Sequence, residues 1–366
     1  MMKIISVVGA RPNFVKIAPL INQIKKYPEI FNSILVHTGQ HYDYELSKQI
    51  FNDLDIPEPD VYLDVGSASD SIQTAKIMIG FEGVLHKEKP DLVIVVGDVN
   101  STIACALTSA KMGIKIAHVE AGLRSFDRSM PEEINRLLTD AISDYLFITE
   151  PSAEINLLRE GISKSKIYMV GNIMIDSLIK NKEKSSLSTI LNELKLEPKT
   201  YVPLTLHRPS NVDTNEGLIN TLNIVNEIQK KLKVIFPLHP RTKKRIKEFN
   251  LETKIETMDN LKIINPLGYL DFLKLMMEAK FVLTDSGGIQ EETTFLNIPC
   301  ITLRENTERP ITLEEGTNMI VSCDKEKVID GVNKIFIGEE KKGRIPKLWD
   351  GHTAERIVDI LKKIRS

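Results

Sequence analysis

Residues 92–96 read Leu-Val-Ile-Val-Val and run straight into Gly97-Asp98. Five aliphatic residues without polar alternation predict a strand buried on both faces, and sheets reach that state when helices cover both sides. Similar short runs rich in Val and Ile recur at 3–9, 33–38, 115–119, 145–148 and 167–170, with helical periods at 14–27, 71–86 and 132–143 between them. The rhythm restarts after a break, with strands expected at 201–206, 234–237, 261–264, 281–284, 299–303 and 319–322. Strands alternating with helices predict parallel sheets, and 366 residues suit two domains better than one core.

The break spans 172–200 and carries a Lys/Ser-rich stretch at 180–188. It reads as a hinge followed by a surface helix. The segment 352–366 reads as an amphipathic helix with Ile357, Ile360, Leu361 and Ile364 on one face. The expected organisation is therefore α/β, with two doubly wound Rossmann-like domains facing each other across a cleft. Residues 1–172 form the first, with 352–366 packing back on it, and 173–351 form the second.

Charge nearly cancels, 48 Lys+Arg against 50 Asp+Glu, which speaks against a dedicated nucleic-acid binder. No apolar run approaches the roughly 20 residues of a bilayer span. The N-terminus lacks the pattern of a signal peptide, because Arg11 follows a short apolar run. Cys105, Cys300 and Cys323 form no CxxC pair and read as buried thiols of a cytoplasmic protein. No metal signature appears.

In doubly wound sheets ligands bind beyond the carboxyl ends of the strands, so the post-strand loops are where chemistry is expected. Gly9-Ala10-Arg11-Pro12-Asn13-Phe14-Val15-Lys16 fits either an anion at a helix N-terminus or an ordinary turn. It matches neither a dinucleotide nor a Walker fingerprint. Asp98 follows the most apolar strand and equally suits a helix cap. His118-Val119-Glu120 through Pro131-Glu132-Glu133 to Arg136 gathers acids and bases at one strand end, although Glu132 and Glu133 also suit a helix start. His207-Arg208 gives a proton donor beside a cation, or a structural histidine. Asp285-Ser286-Gly287-Gly288 lets backbone N–H groups approach a phosphate, and an acid one turn into the following helix suits ribose hydroxyls. Together these loops describe a nucleotide-sugar enzyme.

The motifs GARPNFVK, GDVNST, HVEAGLRS, MPEEINR, LHRPSN, TDSGGIQEE and TERP, in this order over residues 4–310, closely resemble the non-hydrolysing UDP-N-acetylglucosamine 2-epimerases. The resemblance implies a GT-B arrangement, no NAD or other cofactor, and interconversion of UDP-N-acetylglucosamine and UDP-N-acetylmannosamine. It implies Asp98, Glu120 and Glu132 as acid/base groups, with His207 acting at the glycosidic oxygen or diphosphate. Arg11, Lys16, Arg136, Arg208 and Arg309 become electrostatic groups for the substrate. Ser286, Gly287 and Gly288 hold phosphate, Glu292 the ribose, and the Phe272 backbone with Leu267 the uracil. Gln40, His41, Gln73 and His239 match a second site, where an activating UDP-N-acetylglucosamine binds, although Ile72 replaces the arginine that often precedes the glutamine. The family often has Glu after His-Arg-x, where this chain has Ser210. A homodimer is implied, and no nucleic-acid or membrane partner. The main rival is a GT-B glycosyltransferase, which shares the UDP site but needs an acceptor.

Overall fold

The computed structural model describes residues 1–40 and 51–365. They divide into two units, Met1–Lys180 with Lys347–Ser366, and Asn181–Pro346. In the first unit the strands are β1 (Met2–Val8), β2 (Phe31–His37), β3 (Val61–Tyr62), β4 (Leu92–Val96), β5 (Lys115–Ala121), β6 (Tyr145–Ile148) and β7 (Ile167–Met169). Their order is β3-β2-β1-β4-β5-β6-β7, and every pairing is parallel. All of β4 is 0–1% exposed. Val93 and Val95 join Ile5, Val7, Ile77, Phe81 and Ala104 in one apolar cluster, so helices Asp70–Glu88 and Asn100–Lys111 cover that face. Each such burial contributes about 1.5–3 kcal/mol. The two-residue edge strand β3 was not among the expected strands, because two residues carry no readable period.

The second unit repeats the scheme with β8 (Tyr201–Thr205), β9 (Lys233–Pro237), β10 (Leu261–Ile264), β11 (Val282–Thr284), β12 (Cys300–Thr302) and β13 (Asn318–Ile320). The order is β10-β9-β8-β11-β12-β13, again parallel. Val202, Leu204, Phe236 and Leu283 pack with Leu222, Val225, Val328 and Val332, seating helices Asn215–Gln229 and Lys325–Phe336 on the sheet.

In each sheet the strand order reverses once, between β1 and β4 and between β8 and β11. Those reversals open a crevice at the carboxyl ends, where a doubly wound sheet takes its ligand. Segment 172–200 is largely helical, with helices Ile173–Ser186 and Ile190–Leu194, and the units part within the first of these. Helix Thr353–Arg365 belongs to the first unit and packs on helix Arg11–Ile24. Asp176 accepts from Thr353 N (3.2 Å) and Ala354 N (2.7 Å) at its start. Among the described residues no helix is long and apolar enough to cross a membrane.

Candidate active site

At the first reversal, helix Arg11–Ile24 begins directly after β1 because Pro12 suits a first helical turn. Asn13 Nδ2 donates to Val96 O (2.7 Å), joining the β1 turn to the end of β4. One turn further on, Lys16 Nζ donates to Glu120 Oε1 at 2.6 Å, and both side chains are buried. Gly97 makes room for this ammonium. Its φ of +66° lies in the left-handed region, and a Cβ there would sit 3.2 Å from Lys16 Nζ. Glu120 itself has φ +73°, at a register shift in β5 between Val119 and Ala121. Such bulges re-aim a side chain, and strain of this kind gathers at functional positions.

Asp98 follows Gly97 and keeps a partly exposed carboxylate, paired with the buried guanidinium of Arg136. Arg136 also pairs with Glu133. The neighbouring glutamates divide their tasks. Glu133 is 1% exposed and accepts from Ser125 N (2.9 Å), Ser125 Oγ (2.9 Å) and Phe126 N (3.0 Å), which fixes the loop after β5. Glu132 stands half-buried in the first turn of helix Pro131–Ile142, where the helix dipole favours its charge. The buried residues of that helix are Glu133, Arg136, Thr139 and Asp140, all polar, while Ile134 and Leu138 are exposed.

Beneath these turns, buried His118 sits between Asp140 Oδ1 (2.7 Å from Nδ1) and Gly97 O (2.8 Å from Nε2). Burial opposes the charge on Asp140, but His118 and Arg124 outweigh it and hold the carboxyl below its usual range.

At the second reversal Asp285, fully buried after β11, accepts from His207 N (3.0 Å), Arg208 N (2.9 Å) and Asn211 Nδ2 (3.1 Å). His207 Nδ1 lies 3.1 Å from Asp285 Oδ1, which orients the half-exposed imidazole. Burial works against the Asp285 carboxylate, yet His207 and the backbone donors hold its pKa below the ordinary value. The ring of His239 is 6.0 Å from that of His207, centroid to centroid.

Helix Gly287–Leu296 follows, with Ser286 at the N-cap position but making no side-chain capping bond, and the N–H groups of its first turn at the sheet's end. Gly287 allows Arg309 to approach, since a Cβ would lie 2.6 Å from its Nη1. Arg309 is held by Glu308 and, at 2.9 Å, Glu291, while Glu308 also meets Arg304 (2.7 Å) and Arg208 (3.7 Å). Arg208, Arg304 and Arg309 thus gather beside the helix N-terminus, an arrangement of cations and backbone N–H groups suited to a diphosphate. Glu292 accepts from Tyr269 Oη (3.0 Å), and burial, then the Glu292 charge, pushes the Tyr269 phenol far above its usual pKa. That bond ties Glu292 to helix Tyr269–Met277, which carries Phe272 and follows Leu267. The Phe272 N–H is spent on Gly268 O (3.1 Å) within the helix.

Of the second-site candidates, Gln40 and Gln73 come together: Gln73 Nε2 donates to Gln40 O (3.1 Å), and Gln40 Oε1 accepts from Ser101 Oγ (2.7 Å). Asn100 Nδ2 donates to Gln73 Oε1 (2.9 Å). His41 and the Arg11 side chain lie outside the described residues. Sequence reasoning passed over Glu133, Asp140, Tyr269 and Asp285 as site residues.

The family model for UDP-N-acetylglucosamine 2-epimerase matches residues 22–362. The chain belongs to the UDP-N-acetylglucosamine 2-epimerase family. A relative from Methanocaldococcus jannaschii, named UDP-N-acetylglucosamine 2-epimerase, is 46% identical over 98% of this chain and 99% of its own length. A structure of the M. jannaschii UDP-GlcNAc 2-epimerase in complex with UDP-GlcNAc and UDP superposes with a TM-score of 0.93, at 46% identity, over 99% of this chain and 100% of that one. A Methanococcus maripaludis relative named UDP-N-acetylglucosamine 2-epimerase homolog is 47% identical, covering 99% of this chain and all of its own. A Pseudomonas aeruginosa member named UDP-2,3-diacetamido-2,3-dideoxy-D-glucuronate 2-epimerase is 36% identical, covering 99% and 100%. The two parallel sheets described above are the α/β scaffold these epimerases share.

Proposed function

We propose that this chain interconverts UDP-N-acetylglucosamine and UDP-N-acetylmannosamine by eliminating UDP and adding it back with inversion at C2. The observation that carries the reading is the pair of carboxylates at the first reversal, Asp98 against Arg136 and Glu120 against Lys16. The C2 proton of the sugar has no adjacent carbonyl and is not acidic in the ground state. It becomes acidic as the C1–O bond lengthens and positive charge grows at C1. A carboxylate takes that proton, the C–H electron pair forms the C1=C2 bond, and the C1–O pair leaves with UDP. The product pair is 2-acetamidoglucal and UDP, formed by anti elimination. In the return step UDP adds to C1 and a second acid delivers a proton to the opposite face of C2, so carboxylates are needed on both faces.

Asp98, Glu120 and Glu132 supply those groups in this reading. Arg208, Arg309 and the first turn at Ser286, Gly287 and Gly288 take the growing charge of the diphosphate, and His207, aligned by Asp285, serves the leaving oxygen. Lys16, Arg136 and Arg11 hold the electrostatics of the reacting end, Glu292 the ribose, and Leu267 with Phe272 the uracil. We further place an activating UDP-N-acetylglucosamine at Gln40, His41, Gln73 and His239, and a homodimer as the working form.

The deciding experiment is incubation with UDP-N-acetylglucosamine in D2O, without acceptor, followed by NMR. Deuterium at C2 and a manno product are expected. No C2 deuterium, or turnover only with an added sugar acceptor, overturns the reading in favour of a glycosyltransferase. The same assay with the 2,3-diacetamido uronate tests the substrate, and faster turnover there would reassign it.

A further inference from the structure

His118 is a fully buried residue on β5, and both of its ring nitrogens are engaged. Gly97 O, 2.8 Å from Nε2, can only accept, so Nε2 carries a proton. The other partner, Asp140, already receives Gly122 N–H (3.0 Å) and the Arg124 guanidinium (2.7 Å), the surroundings of a carboxylate. Nδ1 therefore donates as well, and the ring is an imidazolium. Charges around it alternate in sign. Arg124 continues from Asp140 to Glu160 at 2.6 Å.

The ends of this pair reach two particular turns. Gly97 immediately precedes Asp98, and Gly122 stands two residues after Glu120. The imidazolium holds the first turn through a carbonyl, and Asp140 holds the second through an N–H. Beside it, Gly97 N donates to Val119 O at 3.0 Å, where the β4–β5 pairing ends at Val96 and Val119. A strand with both faces covered has no need of a charged side chain, and an apolar residue in place of His118 would pack without the cost of desolvating an ion pair.

We infer that His118 is a positioning residue for the proposed epimerisation, an imidazolium that with Asp140 ties the Asp98 turn to the Glu120 turn and so sets the separation of the two carboxylates. The inference rests on the epimerase reading above.

Two variants divide its bonds. His118→Gln keeps an amide N–H near the Nε2 position and so the bond to Gly97 O, whereas His118→Asn keeps one near Nδ1, toward Asp140, and releases Gly97. In the D2O assay His118→Asn is expected to lose kcat on the order of a hundredfold, the cost of a small misplacement of reacting groups. The UDP-N-acetylglucosamine KM should stay within about twofold, because uniform binding is untouched. His118→Gln, which keeps the bond to Gly97 O but gives up the one to Asp140, should recover part of the loss. Unchanged kcat in His118→Asn, or a Gln variant no better than Asn, overturns the inference. Imidazole 15N NMR of the wild-type protein at pH 8, with the His118 signals assigned from the Gln variant or by elimination, gives an independent check should the Asn variant fail to fold. Two protonated nitrogens support the tie, and a neutral tautomer refutes it. A wild-type protein without turnover would sink the activity reading instead and leave this NMR result to decide the tie.

Discussion

Replacing Lys16 by Met would leave Glu120 as a charge without its ammonium inside the first unit. The pair is 2.6 Å apart with side chains only 6% and 2% exposed. At an effective dielectric of about 20 the attraction at that separation is roughly 6 kcal/mol. Desolvation of both ions offsets much of it, but removing one partner typically costs about 3–5 kcal/mol. The chain provides its own probe, since its one tryptophan, Trp349, is buried and belongs to the same unit. Urea unfolding followed by Trp349 fluorescence therefore reads the unit that holds the pair. With a urea m-value of about 2.5 kcal/mol/M, a loss of about 4 kcal/mol lowers the midpoint by roughly 1.5 M. Lys16→Met/Glu120→Gln removes both charges and should regain about 2 kcal/mol over Lys16→Met, so the two single losses do not add. If the double variant falls by the sum of the singles, with coupling below about 0.5 kcal/mol, the two charges do not stabilise the fold as a pair.

Asp98→Asn, Glu120→Gln and Glu132→Gln are each expected to lower turnover at least about a hundredfold while the Trp349 transition persists. A triple variant that keeps most activity would move the chemistry elsewhere. Gly287→Ala places a methyl 2.6 Å from Arg309 Nη1 and should weaken UDP binding, read by calorimetry, with the unfolding of the first unit unchanged. Asp140 has a folded pKa held below its unfolded value, so its stabilisation is complete above about pH 4 and is lost as pH falls through the folded value. The deficit of Asp140→Asn against wild type should therefore shrink on acidification, and a constant deficit down to the acid transition would contradict the linkage. Conversion started from pure UDP-N-acetylmannosamine should show a lag that a trace of UDP-N-acetylglucosamine removes; immediate full-rate conversion would remove the activator from the account.

The apolar strands and the loops that follow them were legible because burial on both faces leaves an unbroken aliphatic run, as in 92–96. That Asp98, Glu120 and Glu132 are acid/base groups came from the resemblance of the ordered motifs to the family, not from the local residue pattern. Which group pairs with which was not legible. Asp285 was read as part of a phosphate turn, yet it aligns His207 from 78 residues away. Asp140 reaches His118 across 22 residues. Such pairs are fixed by sheet order, which local pattern does not encode. One signal was present and unread. Glu133, Arg136 and Asp140 recur at helical spacing along one side of helix Pro131–Ile142, and that side is the buried one. A polar stripe on a helix flanked by strands announces a buried ionic network.

The return of the chain to its first unit carries a consequence for synthesis on the ribosome. Helix Thr353–Arg365 supplies buried Ile357, Val358 and Leu361, and its first N–H groups donate to the buried carboxylate of Asp176. Residues 1–180 emerge first but lack this piece until residues 181–346 have been translated. At about 5–20 residues per second that interval is on the order of ten to thirty seconds. Throughout it the nascent first unit exposes the apolar strip meant for the helix, while the second unit, contiguous in the chain, has everything it needs to close. The part of the protein made earliest is thus the last to be finished.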